Sequence, residues 1–526
     1  MANILKEPCN EGVVEASPET ACSIPSASPW ILAATIIGSS MVFMDGTLVN
    51  VALPAMQREL NATGTELQWI VESYALFLAA LILMGGSLGD RYGHRRIFAA
   101  GVVVFTVASL WCGLSGSAPQ LIIARGLQGI GGALMVPGSL AIISASFCDE
   151  QRGRAIGTWS GFTAMTTAFG PVIGGWLVEH VSWRWAFFVN LPFALVVLAI
   201  LYHYVPETRN EESARLDVWG AVLATLGLGA LVYGLIESAN IGFTHPVVVG
   251  TLALGSFSLA AFVRVQARGQ TPMMPLPLFR SRTFSGANVL TLLLYAALGG
   301  SLYFLPFNLI QVQGYSATEA GAAYLPFILL MFLLSRWSGG LVYRYGAKLP
   351  LTLGPVIAAA GYVLLAAPAV GGSYWSTFFP GIAVLGLGMA ISVAPLTTTV
   401  MGSVAQRHAG IASGINNGVS RTAALIAIAG MGIFIVQAYN TELDDRLAKL
   451  DLSPAVLQTL DAERARLAGA QPPADISAEL GYALKSAIAE SYVSGFRLIM
   501  FIAAGLALAS ALSAWLMIED RRPVRA

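Results

Sequence analysis

Long runs of apolar residues dominate this chain, and short polar segments separate them. A helix needs about 20 apolar residues to cross roughly 30 Å of hydrocarbon, and 14 runs approach or exceed this length. The predicted spans are residues 30–52, 68–88, 97–116, 119–143, 154–178, 184–205, 216–237, 246–265, 285–310, 318–338, 349–369, 376–400, 409–437 and 492–518. The pattern therefore predicts an all-α polytopic membrane protein with 14 transmembrane helices.

Composition supports the same class, because 56% apolar residues against 11% charged residues excludes an ordinary soluble domain. Residues 1–29 are polar, contain four prolines and lack the apolar core of a cleavable signal peptide. We interpret them as a cytoplasmic tail, with a second short tail at 519–526. The four cysteines have no metal-ligand spacing, and we predict no metal site.

The positions of Lys and Arg predict the orientation of the chain. The two tails and the segments after even-numbered spans carry about 18 of them, whereas the short segments after odd-numbered spans carry about two. Positive residues are retained on the cytoplasmic side of a membrane. We therefore expect a multi-pass protein with both termini in the cytoplasm. The Ala- and Gly-rich composition is consistent with a bacterial inner membrane.

An internal duplication has an offset of 253 residues. The segment Gly86–Arg95 returns as Gly339–Lys348 with the same Gly, Leu, Arg, Tyr and Gly, followed by a final basic residue. Arg154, Gly157 and Gly161 fall on Arg407, Gly410 and Gly414 at the same offset. In so apolar a chain, two related halves indicate a secondary transporter whose substrate path lies between them.

The offset also predicts the domain organisation. It pairs spans 2 and 5 with spans 10 and 13, which leaves spans 7 and 8 outside the repeat. We predict an N-terminal six-helix bundle over 30–205, an inserted helix pair within 206–270 and a C-terminal six-helix bundle over 271–518.

One polar segment, residues 438–490, is long and is expected on the outer side. Leucines recur in it at roughly helical spacing, and Pro472–Pro473 interrupts the run. They are Leu443, Leu447, Leu450, Leu457, Leu460 and Leu467. We predict two short amphipathic helices, either as a solvated surface hairpin or as a docking site for a periplasmic adaptor partner.

Four sequence blocks carry a family resemblance: Asp45 to Pro54 in span 1, Gly86 to Arg96 after span 2, Arg125 to Ala133 in span 4 and Gly170 to Gly175 in span 5. With these blocks the chain resembles the major facilitator superfamily, and within it the 14-helix drug:proton antiporter branch. The resemblance extends from span 1 to span 14. It implies a major facilitator fold and export driven by the proton gradient without any other cofactor.

The loop after span 2 contributes Gly86, Asp90, Arg91, Gly93, Arg95 and Arg96. Gly93 can adopt a turn conformation that other residues resist, and the Asp90 carboxylate can cap a helix N-terminus. The resemblance implies that this loop latches the two halves on the cytoplasmic side, with Asp90 near Arg407 and His408. The alternative is that the arginines only enforce topology. Tyr343 replaces the carboxylate in the second copy, so no second latch is expected.

Span 5 carries a block of small residues: Gly157, Gly161, Gly170, Pro171, Gly174 and Gly175. Glycines four apart permit close approach of a neighbouring helix, and a proline favours a bend. The resemblance associates this block with antiporters rather than symporters. The alternative is a packing motif without functional meaning.

Charged residues inside spans are the remaining candidates, because each costs roughly 2.5 to 3.5 kcal/mol on insertion scales and usually faces a cavity. Asp45 and Arg125 rank first. The resemblance implies proton transfer for Arg125 and coupling or substrate charge for Asp45; the alternative is a buried structural ion pair. Glu72, Glu237 and Arg421 rank second. Glu72 and Glu237 lie near helix ends, where an interfacial role is at least as well supported, whereas Arg421 lies deeper in span 13.

These observations predict a proton-coupled efflux transporter, not an enzyme, that exports small amphipathic compounds by alternating access. A dedicated exporter of one metabolite, lipid-like molecule or antibiotic is the alternative. A non-transporting receptor or scaffold is disfavoured, because it has no need of costly intramembrane charge. Lys485 precedes a Ser but follows Leu484 rather than the Gly of a P-loop, so no ATP use is expected. The expected partners are protons, substrate and lipids, and no nucleic acid.

Overall fold

The computed structural model describes residues 28–147, 149–208, 217–269, 272–404, 409–450, 452–473 and 475–519. Over these residues the chain forms 18 α-helices and no β-strand. Fourteen helical segments are long and apolar enough to cross a membrane. The prediction of an all-α protein with 14 transmembrane helices is confirmed.

The N-terminal bundle contains the first six spans. Its helices are α1 (Ser28–Leu60), α2 (Gly64–Tyr92), α3 (His94–Leu114), α4 (Ala118–Ser146), α5 (Asp149–His180), α6 (Trp185–Phe188) and α7 (Asn190–Tyr204). The short α6 and the longer α7 together form the sixth span, Trp185–Tyr204.

The seventh and eighth spans are α8 (Val218–Ile241) and α9 (Pro246–Arg268). They pack against each other, and α8 also packs against α2 of the N-terminal bundle and α16 of the C-terminal bundle. Leu76, Val232 and Leu425 belong to one buried cluster at this three-helix junction. The inserted pair is therefore attached through α8 to both halves.

The C-terminal bundle contains the last six spans. It begins with a 3₁₀ turn (Leu276–Arg280) and includes α10 (Arg282–Phe307), a π-helical turn (Asn308–Val312), α11 (Ala317–Ala322), α12 (Leu325–Gly339), α13 (Leu341–Tyr345), α14 (Lys348–Ala366), α15 (Tyr374–Gly402), α16 (Ala409–Leu447), α17 (Pro454–Glu463), a 3₁₀ turn (Arg464–Gly469) and α18 (Ala478–Met517). The tenth span joins α11 to most of α12.

The outer segment differs from its prediction. Helix α16 continues without a break to Leu447, and α18 already begins at Ala478, so only residues 448–477 lie between the two helices. Leu443, Leu447 and Leu460 are buried in the main apolar core. Apolar packing therefore extends both spans beyond their predicted ends, and the prediction of two separate short helices is wrong for the α16 part. We call residues 448–477 the outer cap.

Side-chain contacts distinguish the two ends of the bundle. At the end where α1 begins, which we call the N-terminal face, Trp30 stacks on Tyr204 with ring centroids 5.4 Å apart. At the opposite face, the Trp183 indole donates to Glu59 at 2.6 Å. Consecutive spans therefore end at alternating faces across the first six spans.

The duplication is visible in the backbone. Gly93 and Gly346, 253 residues apart, both adopt positive φ, 106° and 80°. Each caps the preceding helix through its N–H, which donates to Gly89 O in the first copy and to Val342 O in the second. The acceptors are also 253 residues apart, so the repeat conserves a specific turn geometry. The sequence-based expectation of a turn conformation at Gly93 is confirmed.

We predict that Gly93→Ala and Gly346→Ala each destabilise the protein by about 1 to 2 kcal/mol, because a Cβ disfavours the left-handed region. Gly93→Ala should be the more damaging, since the Glu207 carboxylate leaves no room for a side chain there. Thermal unfolding of the purified protein in detergent measures both losses.

The matched control is Gly430→Ala, because Gly430 lies within α16 and a Cβ there would contact nothing within 4 Å. Helix propensity favours this substitution by up to about 1 kcal/mol. An equal loss of stability in the three variants would contradict the argument from backbone conformation.

Candidate functional site

A buried ion pair lies inside the N-terminal bundle. Asp45 of α1 and Arg125 of α4 are each 1% exposed, and the guanidinium contacts the carboxylate directly. Arg125 also donates to Gln128 Oε1 at 2.8 Å and to the Ile70 carbonyl at 3.1 Å. Gln128 in turn donates to the second Asp45 oxygen at 2.8 Å. Both charges are thus hydrogen-bonded on several sides.

A second layer of polar side chains closes this network. Asn190 donates to Asp45 at 3.4 Å and to the Ser109 hydroxyl at 3.0 Å. Ser109 donates to the Phe187 carbonyl at 2.9 Å. On the other side, the Arg125 guanidinium lies 4.2 Å from the centroid of the Tyr74 ring. All these partners belong to α1–α4, α6 and α7, so the network is internal to one half.

The location of Asp45 and Arg125 differs from the expectation that they face a cavity. Their geometry fits the alternative of a buried structural ion pair, and their predicted part in proton coupling stays a prediction. A buried pair gains little net stability because both ions lose their hydration, but removal of one partner leaves an uncompensated charge. The N-terminal bundle therefore depends on both residues being present.

Glu72 of α2 is fully buried, and neither of its carboxylate oxygens has a hydrogen-bond partner among the described residues. Gln68, one turn earlier, packs against Gly432 of α16. Leu76, one turn later, lies in the cluster that contains Leu425 of α16. Residues four apart share a helix face, so Glu72 faces the boundary between the two halves.

The interfacial role suggested for Glu72 from its position near a helix end stays a prediction, but the side chain is fully buried within the protein. Helix α2 begins at Gly64, earlier than predicted, and the outer cap lies over it: the Ala465 carbonyl is 3.1 Å from where a Cβ of Gly64 would be. The Glu72 carboxyl is close enough to interact electrostatically with Tyr303 of α10. It therefore lies within the protein and between its halves.

Arg421 of α16 also reaches across the boundary between the halves. Its guanidinium lies 5.3 Å from the centroid of the Phe43 ring on α1. The side chain is only partly buried. It thus contrasts with Arg125, whose partners all lie in its own half.

The latch residues form their charged contacts within the N-terminal half. Arg95 and Arg96 both pair with Glu207, at 3.7 and 3.5 Å, just after α7. The Arg95 backbone N–H also donates to Glu207 at 3.1 Å, so Glu207 ties the loop after α2 to the segment after α7. Asp90 is half-exposed and lies 3.5 Å from His94 Nε2.

The predicted contact of Asp90 with Arg407 and His408 lies outside the described residues. Of the other latch residues, Arg91 is exposed, and a Cβ at Gly86 would lie 3.5 Å from Pro137 of α4. Nothing in the sequence singled out Glu207 as the partner of the two arginines.

The second half of the glycine block joins the two halves at the opposite face. Gly170 and Gly174 pack against α1, whereas Gly175 packs against the backbone of Ala317 in α11. Gly321 of α11 packs in return against the Pro171 carbonyl. The Glu179 carboxylate accepts from the Thr318 N–H at 3.0 Å. Close approach of a neighbouring helix is therefore observed here, as the spacing predicts.

The first half of the same block behaves differently. Gly157 and Gly161 are exposed, and a Cβ on either would meet nothing within 4 Å. The prediction of close helix approach is wrong for this pair. Gly175, by contrast, lies nearer the end of α5 that packs against α11.

The outer cap covers the face of the bundle that lies opposite the N-terminal face, and polar side chains of neighbouring helices hold it there. Gln57 of α1 donates to the Arg466 carbonyl at 3.1 Å and accepts from Gln311 of the π-helical turn at 2.7 Å. Tyr439 donates to the Leu467 carbonyl at 3.2 Å. Burial opposes the charge of Arg464, but the carboxylates of its neighbours raise the pKa of this guanidinium. These neighbours are Asp444 and Asp461.

A cavity of about 250 Å³ lies beneath the cap. Its walls come from both halves and include Gln68 of α2, Tyr303 of α10, Asn440 of α16 and Tyr492 of α18. Gln68 is one turn from Glu72, so the cavity extends toward the buried carboxyl.

Sequence reasoning missed several site residues. Gln128 follows Arg125 by three positions in α4 and therefore shares its helix face, which is a signal that could have identified it. Ser109 and Asn190 come from distant segments, and no spacing rule connects them to Asp45.

Comparisons with known proteins agree with the fold. The sequence profile described as Major Facilitator Superfamily matches residues 35–428. A "Tetracenomycin C resistance and export protein" of Streptomyces glaucescens is 34% identical over 491 residues, which cover 92% of this chain and 90% of that protein. The "Multidrug resistance protein Stp" of Mycobacterium tuberculosis is 34% identical over 493 residues, which cover 92% of this chain and 91% of that protein.

A solved structure supports the same fold. The structure of a bacterial homolog to the human lysosomal transporter Spinster, inward-facing and unoccupied, has a TM-score of 0.64 to this chain at 19% sequence identity. The match covers 96% of this chain and 100% of that one. The family resemblance drawn from the four sequence blocks is confirmed.

We predict that Asp45→Asn and Arg125→Gln each lower the free energy of unfolding by about 3 to 5 kcal/mol, because each leaves a buried charge or polar network unpaired. The double variant should lose less than the sum of the two losses, since it removes both charges. Thermal unfolding in detergent measures this cycle.

The matched control is the ion pair between Glu59 and Arg184, whose side chains are 50% and 29% exposed. Glu59→Gln should change stability by no more than about 1 kcal/mol. Additive losses at Asp45 and Arg125, or a loss at Glu59 as large as theirs, would show that the buried network does not hold the bundle together.

Proposed function

The chain belongs to the Major Facilitator Superfamily, and from this membership we propose that it is a proton-coupled secondary transporter that exports small amphipathic compounds by alternating access. It is a multi-pass membrane protein with 14 spans. The proposal places it in the inner membrane, with the N-terminal face and both termini in the cytoplasm. The names of its relatives, one for export and one for multidrug resistance, support efflux.

The breadth of specificity stays open in this proposal. One relative is named for a single compound and another for many, and both are 34% identical to this chain. A broad drug exporter and a dedicated exporter of one metabolite, lipid-like molecule or antibiotic are therefore equally supported. Growth-inhibition profiles of cells with and without the protein, over many compounds, separate the two.

The contacts between the halves support alternating access. At the opposite face the halves touch through α5 and α11, and the outer cap bridges Gln57 and Tyr439. At the N-terminal face Gly157 and Gly161 of α5 are exposed. With the N-terminal face in the cytoplasm, this arrangement corresponds to a transporter closed outside and open inside. Outward opening requires that the contacts at the opposite face break.

Glu72 carries the proposal of proton coupling. A carboxyl without hydrogen-bond partners in a buried site is costly in its ionised form, so it takes up a proton there. Glu72 faces the boundary between the halves, where relative movement changes its surroundings. The cavity beneath the cap, with Gln68 and Tyr303 in its walls, provides polar groups on the outer side of this carboxyl.

The roles implied for Asp45 and Arg125 are a second part of the proposal. Both belong to one rigidly connected half, so they would act by changing the shape of the N-terminal bundle when Asp45 takes up a proton. Arg125 keeps its charge throughout, because a guanidinium does not lose its proton in proteins.

The proton gradient is an adequate source of free energy. One charge moving through a driving force of about 150 mV releases roughly 3.5 kcal/mol, which supports a concentration ratio of a few hundredfold. No further cofactor is needed in this proposal.

A periplasmic adaptor for the outer segment stays a prediction. The cap packs back on its own bundle through Gln57, Tyr439 and Gly64. These contacts favour a surface hairpin over a docking site.

We predict that Glu72→Gln abolishes proton movement coupled to export, because an amide cannot bind and release the proton. The measurement is the internal pH of proteoliposomes after addition of tetracenomycin C and a panel of amphipathic dyes. The control is Glu237→Gln, whose carboxylate is only partly buried and accepts from Asn240 at 3.4 Å. It should keep normal coupling.

Asp45→Asn provides the competing arm of this experiment. Normal proton flux in Glu72→Gln, together with its loss in Asp45→Asn protein that thermal unfolding shows to be folded, would transfer the coupling role to Asp45. Compound export without any pH change in the parent protein would refute proton coupling altogether. A parent that moves neither compounds nor protons would support the receptor or scaffold alternative.

We predict that Asp90→Asn shifts the two conformations toward inward-facing by roughly five- to thirtyfold, which corresponds to about 1 to 2 kcal/mol for a capping carboxylate. Tyr343→Phe, at the matching position of the repeat, should shift them much less. Distances between spin labels at the cytoplasmic ends of α2 and α16 measure the populations. Equal shifts in the two variants would mean that the repeat asymmetry has no mechanical role.

A further inference from the structure

We propose that the space between the halves holds a binding site for planar aromatic anions, in which Arg421 receives the oxyanion and Phe43, backed by the buried Trp159, forms the aromatic wall. This inference rests on the proposed export function and names the class of compound that it favours: a fused-ring molecule with a carboxylate or an ionised phenol. The site joins one helix of the C-terminal half to two helices of the N-terminal half.

The first argument is the unused hydrogen-bonding capacity of Arg421. A guanidinium carries five N–H donors and no acceptor. Among the described residues, no carboxylate lies within ion-pair distance of Arg421, and no oxygen accepts a hydrogen bond from it. The side chain is only partly buried, so these donors remain accessible from the space between the halves.

Other arginines in the spans show the contrast. Arg125 directs its donors to Asp45, Gln128 and the Ile70 carbonyl. Arg497 of α18 donates to the Ala366 carbonyl at 2.9 Å. A charged side chain at membrane depth is costly and marks a functional pathway when it faces a cavity. Within the described residues, Arg421 has no oxygen acceptor of the kind that Arg125 and Arg497 have. An anionic ligand would supply that acceptor.

The second argument is the aromatic wall beside this charge. The Arg421 guanidinium lies 5.3 Å from the centroid of Phe43, across the boundary between the halves. Phe43 meets Trp159 of α5 edge-on, with ring centroids 6.5 Å apart. The Trp159 indole donates to Ser39 of α1 at 3.1 Å, which fixes its orientation. A fixed wall costs little ordering entropy when a flat ring system binds.

The third argument is the local charge balance. The two acids on α1 are Asp45, which pairs with Arg125, and Glu59, which pairs with Arg184. Glu72 lies on the face of α2 that packs against α16, one turn before Leu76. It is not within ion-pair distance of Arg421. Counted over the described residues, the site therefore carries one net positive charge, which attracts an anion and repels a cation.

The ligand class follows from these three features. A carboxylate accepts two parallel N–H bonds from a guanidinium, and an ionised phenol accepts a strong charge-assisted bond. The flat guanidinium also stacks on aromatic faces. A planar ring system with an acidic group thus uses the charge, the donors and the wall together. A planar cation would gain only the contact with the aromatic wall.

Two dyes with the same xanthene ring system test the proposal: fluorescein, which is anionic, and rhodamine 123, which is cationic. Binding to the purified full-length chain in detergent is measured by fluorescence polarisation, without any gradient. We expect the parent to bind fluorescein more tightly than rhodamine 123. Arg421→Gln should weaken fluorescein binding by about tenfold or more and leave rhodamine 123 binding unchanged or tighter.

Three further variants make the test specific. Arg421→Lys keeps the charge but loses the paired donors, so its affinity for fluorescein should fall between those of the parent and Arg421→Gln. Phe43→Leu should weaken both dyes. Arg497→Gln, which removes an arginine engaged with the backbone, should change neither. Arg421→Lys and Phe43→Leu also keep the test valid if Arg421→Gln does not fold.

The outcomes separate this inference from the proposed function. Equal affinities for the two dyes, a preference for rhodamine 123 or no fluorescein binding by the parent would overturn the anion site, even if proton-coupled export is observed. Arg421-dependent fluorescein binding in a protein that moves no protons would keep the site and overturn the coupling. An equal loss of fluorescein binding in Arg497→Gln would also overturn the anion site.

Discussion

The ion pair between Asp45 and Arg125 is the constraint on which the N-terminal half depends. It joins α1 to α4 where water is excluded, and Gln128, Ser109 and Asn190 extend its hydrogen bonds to α3 and α7. Ions buried at such a cost need complete pairing. The half therefore has one arrangement in which the polar side chains of this network are all hydrogen-bonded.

The boundary between the halves has the opposite character. Instead of a saturated network it contains an acid, Glu72, that has no hydrogen-bond partner within the part of the chain that the structure describes, and a cation beside an aromatic ring, Arg421 over Phe43. Such groups are poorly satisfied in any one arrangement, so their free energy changes when the halves move. A transporter needs saturated polar groups inside each moving body and unsaturated ones where the bodies separate.

Much of the fold could be predicted because hydrophobic run length and a 253-residue offset are local or periodic signals. The span count and the turn at Gly93 followed from them. The site residues were harder to predict from the sequence, because Glu207 and Asn190 contact their partners only after distant segments pack together. The outer cap was misjudged for a related reason: Leu443 and Leu447 extend α16 by packing on the core, which run length alone does not reveal.

The inserted pair has a consequence for the lipid surroundings. Because α8 packs against both α2 and α16, it covers the boundary between these two helices of the opposite halves. On α5, Gly157 and Gly161 face open space. The inserted pair therefore makes the surroundings of α2 and α16 unlike those of α5, so the chain is asymmetric toward the lipid although its two halves are copies.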